Sequence, residues 1–322
     1  MNAASRDAPA SLGPGAAVLA FDVGGSDTKS AVVDSAGVLH GLRRTPTPLD
    51  TAHPAGAIID HLAGLARDYA AEYPAVQPRA AGFLVPGLVD DDNGVGVFAS
   101  NFGWRDAPFR ASAEDRLLMP VAFSHDVRGA GEAEFRLGAA RGYRDVAVLV
   151  IGTGIAGAFF IDGRAHVAGG YAGEIGHSII IPGGPPCPCG GRGHLEAVAS
   201  AGGIVRRYGE RTGRAVSGAR DVLGRARAGD AEAAVIWDEA VDGLALGLSQ
   251  VVALLAPEAI VIGGGLAQAG AALFDPLERR LDELLTFHRR PELLPAQIGA
   301  DAGLLGAALR ARDLIAHPIG PA

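Results

Sequence analysis

Cysteine is almost absent from this chain of 322 residues, which contains only Cys187 and Cys189. Two cysteines one residue apart exclude a disulfide scaffold, because a bridge across so short a spacing would be strained. Basic clusters are also missing, and the formal net charge is −8. Binding to nucleic acid or to an anionic membrane surface requires concentrated positive charge, so we expect neither partner.

Long apolar runs are missing as well. No run approaches the roughly 20 residues that span a bilayer, and Met1 to Gly15 lacks the apolar core of a secretory signal. We therefore expect a cytoplasmic protein. With 322 residues and a hydrophobic fraction of 48%, the chain has enough apolar material for two domains with their own cores.

Glycine is abundant, with 47 residues in the chain, about twice the average share of roughly 7%. A glycine-rich motif therefore arises easily by chance here. Each motif below gains weight only from the strand that precedes it and from its order along the chain.

A unit of strand, glycine turn and strand occurs twice, once in each half of the chain. In the first half, Val18 to Phe21 and Lys29 to Val33 flank a turn at Gly24-Gly25. In the second half, Asp145 to Ile151 and Ala158 to Ile161 flank Gly152-Thr153-Gly154. The repetition predicts two related halves.

Helical and strand patterns alternate around these hairpins, which predicts an α/β fold. We place a smaller N-terminal domain at residues 1–123 and a larger C-terminal domain at residues 124–302. A final helix near residues 303–322 is positioned to pack on the first domain.

The two glycine turns are candidate phosphate-binding loops. Their main-chain N–H groups can approach a phosphate, and Asp22 can hold a magnesium-bound water. The second turn opens a hairpin and lacks a Gly-Lys-Ser/Thr sequence, so it is neither a P-loop nor a dinucleotide-binding motif. An ordinary hairpin turn with an exposed aspartate is the alternative for the first.

Asp126 follows a predicted strand and precedes a predicted helix that begins near Val127. A carboxylate at this place can accept a proton from a substrate hydroxyl. It can equally serve as the N-cap of the helix, a position that aspartate favours.

A cluster of possible metal ligands lies in a stretch rich in glycine and proline, and its members are Glu174, His177, Cys187, Cys189 and His194. Two thiolates and two imidazoles suit a tetrahedral zinc site, and a metal can order a stretch that buries little apolar surface. A pair of buried thiols with surface histidines is the alternative.

Taken together, these segments resemble the ROK family of glucokinases, other hexose kinases and sugar-responsive repressors, from Val18 to about Leu309. The segments that carry the resemblance are Asp22-Val23-Gly24-Gly25-Ser26-Asp27-Thr28-Lys29, Gly152-Thr153-Gly154-Ile155-Ala156-Gly157, Gly173-Glu174-Ile175-Gly176-His177, Cys187-Pro188-Cys189-Gly190-Gly191-Arg192-Gly193-His194-Leu195-Glu196 and Ile262-Gly263-Gly264-Gly265.

The resemblance implies a duplicated fold of the actin/hexokinase (ribonuclease H-like) type, with two domains around a cleft, and an ATP-dependent glucokinase that uses Mg²⁺ with ATP and functions as a homodimer. Asp126 is then the general base. The implied sugar contacts are Asn101, His125, Asp126, Glu174, His177 and Glu196. The implied phosphate and nucleotide contacts are Asp22, Gly24, Gly25, Ser26, Lys29, Gly152, Thr153, Gly154, Gly264 and Gly265. The implied ligands of a structural zinc are His177, Cys187, Cys189 and His194.

Two residues depart from the family pattern. His194 stands where most members have a third cysteine, and imidazole is also a zinc ligand. His125 stands where an asparagine usually contacts the sugar, and an imidazole cannot donate and accept hydrogen bonds as an amide does. The preferred sugar is therefore open.

Three alternatives accompany the glucokinase hypothesis. The acceptor can be mannose, fructose or an N-acetylated amino sugar, and polyphosphate can replace ATP as the donor. The third alternative is a non-catalytic sugar-sensing regulator. Repressors of the family carry an N-terminal helix-turn-helix domain, for which a first strand near Val18 leaves no room.

Overall fold

The computed structural model describes residues 12–50, 52–99 and 102–317, and the chain divides into two compact units. Unit 1 contains the described residues up to Gly138, the short segment Val167–Tyr171 and the chain from Ala300 onward. Unit 2 contains Ala139–His166 and Ala172–Gly299. The sequence predicted a first boundary at residue 123, whereas unit 1 continues to Gly138.

Unit 1 contains eight strands and four helices among its described residues. The strands are β1 (Val18–Val23), β2 (Asp27–Val33), β3 (Leu39–Pro46), β4 (Ala80–Val85), β5 (Leu88–Asp90), β6 (Val95–Ala99), β7 (Trp104–Ala107) and β8 (Val121–His125). The helices are α1 (Pro54–Glu72), α2 (Phe109–Leu117), α3 (Asp126–Leu137) and the C-terminal α9 (Ala302–Ala316).

The main sheet of unit 1 has the strand order β3-β2-β1-β4-β8. Strands β1 and β2 form the antiparallel hairpin that the sequence predicts, while β1, β4 and β8 run parallel. All six residues of β4 are buried, as expected for a central strand covered on both faces. Because parallel strands end at one edge, residues that follow β1 and β8 lie at the same edge of this sheet.

Unit 2 contains five strands and five helices among its described residues. The strands are β9 (Val146–Ile151), β10 (Ile155–Ile161), β11 (Arg164–His166), β12 (Ala259–Gly263) and β13 (Glu292–Pro295). The helices are α4 (Leu195–Ala199), α5 (Ala201–Thr212), α6 (Ala219–Arg227), α7 (Ala231–Leu255) and α8 (Ala271–Leu284).

The sheet of unit 2 repeats the plan of unit 1. Its order is β11-β10-β9-β12-β13, with β9 and β10 antiparallel and with β9, β12 and β13 parallel. In both units, the first strand of the hairpin thus pairs with its hairpin partner on one side and with a parallel strand on the other, and that parallel strand pairs with a second parallel strand. This correspondence confirms the predicted duplicated α/β fold.

Helix α7 forms the centre of the unit 2 core, and its ends show how local sequence defines its length. The side chain of Asp230 caps the first turn by accepting from Ala233 N at 3.1 Å, and Tyr208 Oη donates to the other Asp230 oxygen at 2.7 Å. At the other end, Ala256 adopts the left-handed conformation with φ 44°. None of the helices among residues 12–50, 52–99 and 102–317 is long and apolar enough to cross a membrane.

We predict that Ala256→Gly stabilises the protein. The Cβ atom of a left-handed residue costs roughly 1 kcal/mol, and glycine is the usual residue at this helix end. The free energy of unfolding should therefore rise by about 1 kcal/mol, measured by denaturant titration. The matched control is Ala234→Gly inside the same helix, which should lower it by about 1 kcal/mol. Destabilisation by both variants would contradict the assignment of strain to Ala256.

Candidate functional site

The first glycine turn joins β1 to β2 and is held from its side by Thr47. Gly24 N donates to Asp27 O at 2.9 Å across the turn, while Thr47 Oγ1 donates to Gly24 O at 2.8 Å and Thr47 N to Ser26 O at 2.9 Å. Gly25 and Ser26 are exposed at the tip. The turn is therefore anchored at its base and accessible at its tip, as a phosphate-binding loop requires.

Asp22 and Lys29 flank this turn, one on each strand of the hairpin. Burial and then the negative charge of Asp126 raise the pKa of Asp22 to about 6, while the positive charge of Lys29 opposes the shift. Lys29 is the chain's only lysine, and its Nζ atom donates to Ala300 O just before α9. The hairpin thus presents one ammonium group and one carboxyl group of raised pKa beside its glycine turn.

Asp126 is the first residue of α3 and follows directly on β8. His125 occupies the N-cap position without a capping bond from its side chain, and Asp126 Oδ1 accepts from Val127 N at 2.7 Å. Burial raises the pKa of Asp126 to about 6, although the Val127 N–H bond and the Arg128 charge oppose the shift. Its side chain is 29% exposed, so a substrate can reach it. Because His125 and not Asp126 occupies the N-cap position, the N-cap alternative for Asp126 is wrong.

His125, predicted to contact the sugar, is buried and lies against the candidate base. Only 8% of the residue is exposed, and its Nε2 atom is 3.2 Å from Asp126 Oδ1. The imidazole is therefore placed to orient the Asp126 carboxylate. Asn101, the other predicted sugar contact in this part of the chain, lies outside the described residues.

Gly303, in the first turn of α9, is a further residue of this site that the sequence did not reveal. A Cβ atom at this position would lie 2.4 Å from Asp22 Oδ2. Only glycine therefore lets the Asp22 carboxylate lie against the first turn of α9, where the helix dipole favours negative charge. The available signal was the glycine itself, because glycine disfavours a helix by roughly 0.5–1 kcal/mol relative to alanine.

In unit 2, the second glycine turn is tied to Glu196. Ile155 N donates to Glu196 Oε2 at 2.9 Å, and a Cβ atom on Gly154 would lie 2.5 Å from the same oxygen. Ala201 N, at the start of α5, donates to Gly152 O at 2.9 Å. Glu196, predicted to contact the sugar, therefore holds the turn through one oxygen.

Gly264 and Gly265 follow β12 and are exposed. Because β12 pairs in parallel with β9, with Gly263 opposite Val150, they lie at the same sheet edge as the Gly152–Gly154 turn. The structure thus brings together the predicted nucleotide contacts of unit 2, among which Thr153 is also exposed.

The four predicted metal ligands converge in unit 2. The ligand atoms of His177, Cys187, Cys189 and His194 all lie within 4.8 Å of one another. Cys189 Sγ is 3.2 Å from His194 Nδ1, and Cys187 Sγ is 4.0 Å from His177 Nδ1. Bonds of about 2.0–2.3 Å to one tetrahedral ion place ligand atoms at about such separations, and the two-nitrogen, two-sulfur set suits zinc.

Glu174 lies beside this cluster rather than in it. His177 Nδ1 faces Cys187, while His177 Nε2 is 3.7 Å from Glu174 Oε2. The two ring nitrogens of His177 therefore face different groups, one the possible metal ligands and the other a predicted sugar contact. A metal bound to Nδ1 would fix the orientation of the ring and thereby of Nε2.

Comparison with known proteins shows similarity across both units. The model of the ROK family matches residues 18–313. A glucokinase of Halalkalibacterium halodurans is 33% identical over 308 residues, which cover 88% of this chain and 92% of the relative. An N-acetylmannosamine kinase of Shigella flexneri is 31% identical over 302 residues, which cover 92% of this chain and 98% of the relative.

A solved structure agrees with these relatives. The crystal structure of a ROK family glucokinase from Streptomyces griseus in complex with glucose and AMPPNP matches with a TM-score of 0.76 and 29% identity. The match covers 92% of this chain and 99% of that chain. The predicted actin/hexokinase-like fold is confirmed by this likeness.

Proposed function

Because this chain belongs to the ROK family and is a sugar kinase, we propose that it transfers the γ-phosphoryl group of ATP to a hydroxyl of glucose, with Asp126 as general base. The observation that carries the proposal is the Asp126 carboxylate. It is partly exposed at the end of β8, and its pKa of about 6 leaves it mostly ionised at neutral pH. A base poised close to the working pH is the most effective proton acceptor.

The proposed reaction is an in-line displacement. Asp126 accepts the proton of the sugar hydroxyl while the sugar oxygen forms a bond to the γ-phosphorus. The bond from that phosphorus to the bridging oxygen of ADP breaks, and Asp126 later releases the proton to water. Positioning and charge stabilisation supply most of the catalysis in such transfers.

The phosphates are assigned to the two glycine turns and Lys29. The exposed tip at Gly25 and Ser26 and the ammonium of Lys29 suit phosphate oxygens, and Thr153 and Gly264 are exposed in unit 2. The glucokinase relative that binds AMPPNP supports ATP as the donor. Mg²⁺ accompanying ATP would neutralise phosphate charge, and Asp22 is suited to hold one of its waters.

We assign a structural zinc to His177, Cys187, Cys189 and His194. The support is the convergence of their four ligand atoms within 4.8 Å. Bound there, zinc would order the surrounding turns and hold the His177 ring, so that its second nitrogen and Glu174 stay available to sugar hydroxyls.

The relatives of this chain are named for two different sugars, which bears on the choice of glucose as the acceptor. The glucokinase and the N-acetylmannosamine kinase are about equally similar to this chain, and their substrates differ in the substituent at carbon 2. His125 is buried against Asp126, and its imidazole cannot donate and accept hydrogen bonds as an amide does, so this residue does not by itself select glucose. N-acetylmannosamine is therefore the second candidate acceptor.

A coupled assay of ADP release tests the proposal, with Mg-ATP and a panel of glucose, mannose, fructose, N-acetylglucosamine and N-acetylmannosamine. We expect the highest kcat/KM with glucose. A higher value with N-acetylmannosamine would make that sugar the acceptor. Turnover only with polyphosphate, detected as sugar phosphate, would show that polyphosphate and not ATP is the donor. Homodimerisation stays a prediction that light scattering can check.

A further inference from the structure

Arg128, which follows Asp126 by two residues in α3, is buried in unit 1 with only 6% of its side chain exposed. Its Nη2 atom donates to Val89 O at 2.8 Å, and its Nη1 atom donates to Gly170 O at 3.1 Å. These bonds fasten the first turn of α3 to β5 and to the segment Val167–Tyr171. A buried guanidinium that binds two carbonyl oxygens fixes the backbone around it in one arrangement.

Asp91, just after β5, holds the chain on both sides of Asp126. Its Oδ1 atom accepts from Arg128 Nη2 at 2.6 Å, and its Oδ2 atom accepts from Ser124 Oγ at 2.5 Å. Ser124 precedes Asp126 by two residues and Arg128 follows it by two. Arg310 on α9 adds a contact of 3.3 Å to Asp91 Oδ2.

We infer that Asp91 and Arg128 are positioning residues, which fix the junction between β8 and α3 so that the Asp126 carboxylate is held in one place. This inference rests on the proposed function, because it concerns the group assigned as the general base. Neither residue needs to touch a substrate.

Stability alone does not explain why ionic groups occupy this position. A buried ion pair is often no more stabilising than well-packed apolar residues of similar volume. What the pair supplies is geometry, because both Asp91 oxygens and the two terminal guanidinium nitrogens, Nη1 and Nη2, are directed to fixed partners around Asp126. Misplacement of a reacting group by about 1 Å can reduce a rate by about 10²-fold.

The test compares Arg128→Met, Arg128→Lys and Asp91→Asn in the full chain with glucose and Mg-ATP. We expect kcat to fall by about 10- to 100-fold in Arg128→Met and Asp91→Asn, while both KM values change less than about threefold. Arg128→Lys keeps the charge but loses the two-pronged geometry, and should recover part of kcat. The double variant should lose no more than the worse single variant, because both residues act through one pair.

Arg312→Met is the matched control, since Arg312 on α9 of the same unit also donates to backbone carbonyls, at Ala16, Leu12, Gly13 and Asp34. It should lower the melting temperature as Arg128→Met does, yet keep the wild-type kcat. Equal kcat values for the two variants would overturn the inference.

Hydrogen exchange of the backbone around residues 123–129, followed by mass spectrometry, gives a readout that needs no activity. It should accelerate in Arg128→Met and in Asp91→Asn but not in Arg312→Met, and unchanged exchange would count against positioning. A wild-type protein that phosphorylates no sugar would contradict the proposed function, and the exchange result would still decide on Asp91 and Arg128.

Discussion

Replacing Asp126 by asparagine should reduce kcat for sugar phosphorylation by roughly 10²-fold or more while the protein folds normally. The amide has the size of the carboxyl group but cannot accept the hydroxyl proton. Asp126 Oδ1 accepts a main-chain hydrogen bond from Val127 N, and an asparagine oxygen can accept the same bond. The loss should therefore be chemical rather than structural.

The measurement is the steady-state kinetics of the wild-type protein and of Asp126→Asn, together with a melting curve of each. The exposed Asp115 on α2 offers the control Asp115→Asn, which should keep wild-type activity and a similar melting temperature. An Asp126→Asn protein with near-normal turnover would remove Asp126 from the mechanism. Loss of activity together with a large drop in melting temperature would instead point to misfolding.

The pH profile adds a second readout of the same variant. Because burial raises the pKa values of both Asp126 and Asp22 to about 6, wild-type kcat/KM should fall as the pH drops through about 6. Protonated Asp126 can no longer accept a proton, so activity is lost on the acidic side. The Asp126 charge itself raises the pKa of Asp22, so any remaining acidic limb in Asp126→Asn should move to lower pH.

The repeated hairpins show what local sequence reveals about this fold. Apolar strand patterns around Gly24-Gly25 and Gly152-Thr153-Gly154 correctly predicted β1, β2, β9 and β10, because hairpin pairing and turn chemistry are local. The run Ala80–Val85, which has no polar side chain, likewise forms a fully buried central strand. The repetition predicted two related halves, but the order of the strands in each sheet came from the structure.

The parts that the sequence did not reveal depend on contacts between distant segments. Thr47 supports a turn more than 20 residues earlier, with Oγ1 2.8 Å from Gly24 O. Gly303 matters because Asp22 lies against it, and Asp91 matters because Arg128 and Ser124 converge on it. Threonine, glycine and aspartate are common at turns for other reasons, so their types and spacings do not identify the distant residues that they contact.

The candidate metal ligands, by contrast, could be predicted from the sequence alone. Cysteine is so rare here that two copies beside two histidines stand out, and the residues between them offer little apolar surface to bury. In the structure, main-chain bonds join the turns around Cys187, such as Cys187 N to Gly191 O at 2.9 Å and Gly193 N to Pro185 O at 2.8 Å.

The second large effect is therefore expected from the metal cluster. Elemental analysis should find about one zinc per chain, and Cys187→Ala should lose it. Removal of a structural zinc can cost several kcal/mol of folding free energy, since binding contributes about 10–16 kcal/mol in small zinc domains. A lower melting temperature and a higher KM for the sugar should accompany the loss, because His177 Nε2 and Glu174 would no longer be held.

Two further variants separate the metal from the surrounding packing. His194→Cys preserves four ligands and should keep about one zinc, since thiolate and imidazole both bind it. His166→Ser, on the exposed strand β11, removes a histidine outside the cluster and should change neither zinc content nor melting temperature. Protein purified without chelator that holds no zinc, yet melts and binds sugar like a metal-loaded sample, would sink the four-ligand assignment. Zinc kept by His194→Cys and lost by Cys187→Ala would support the assignment of the metal to these four side chains.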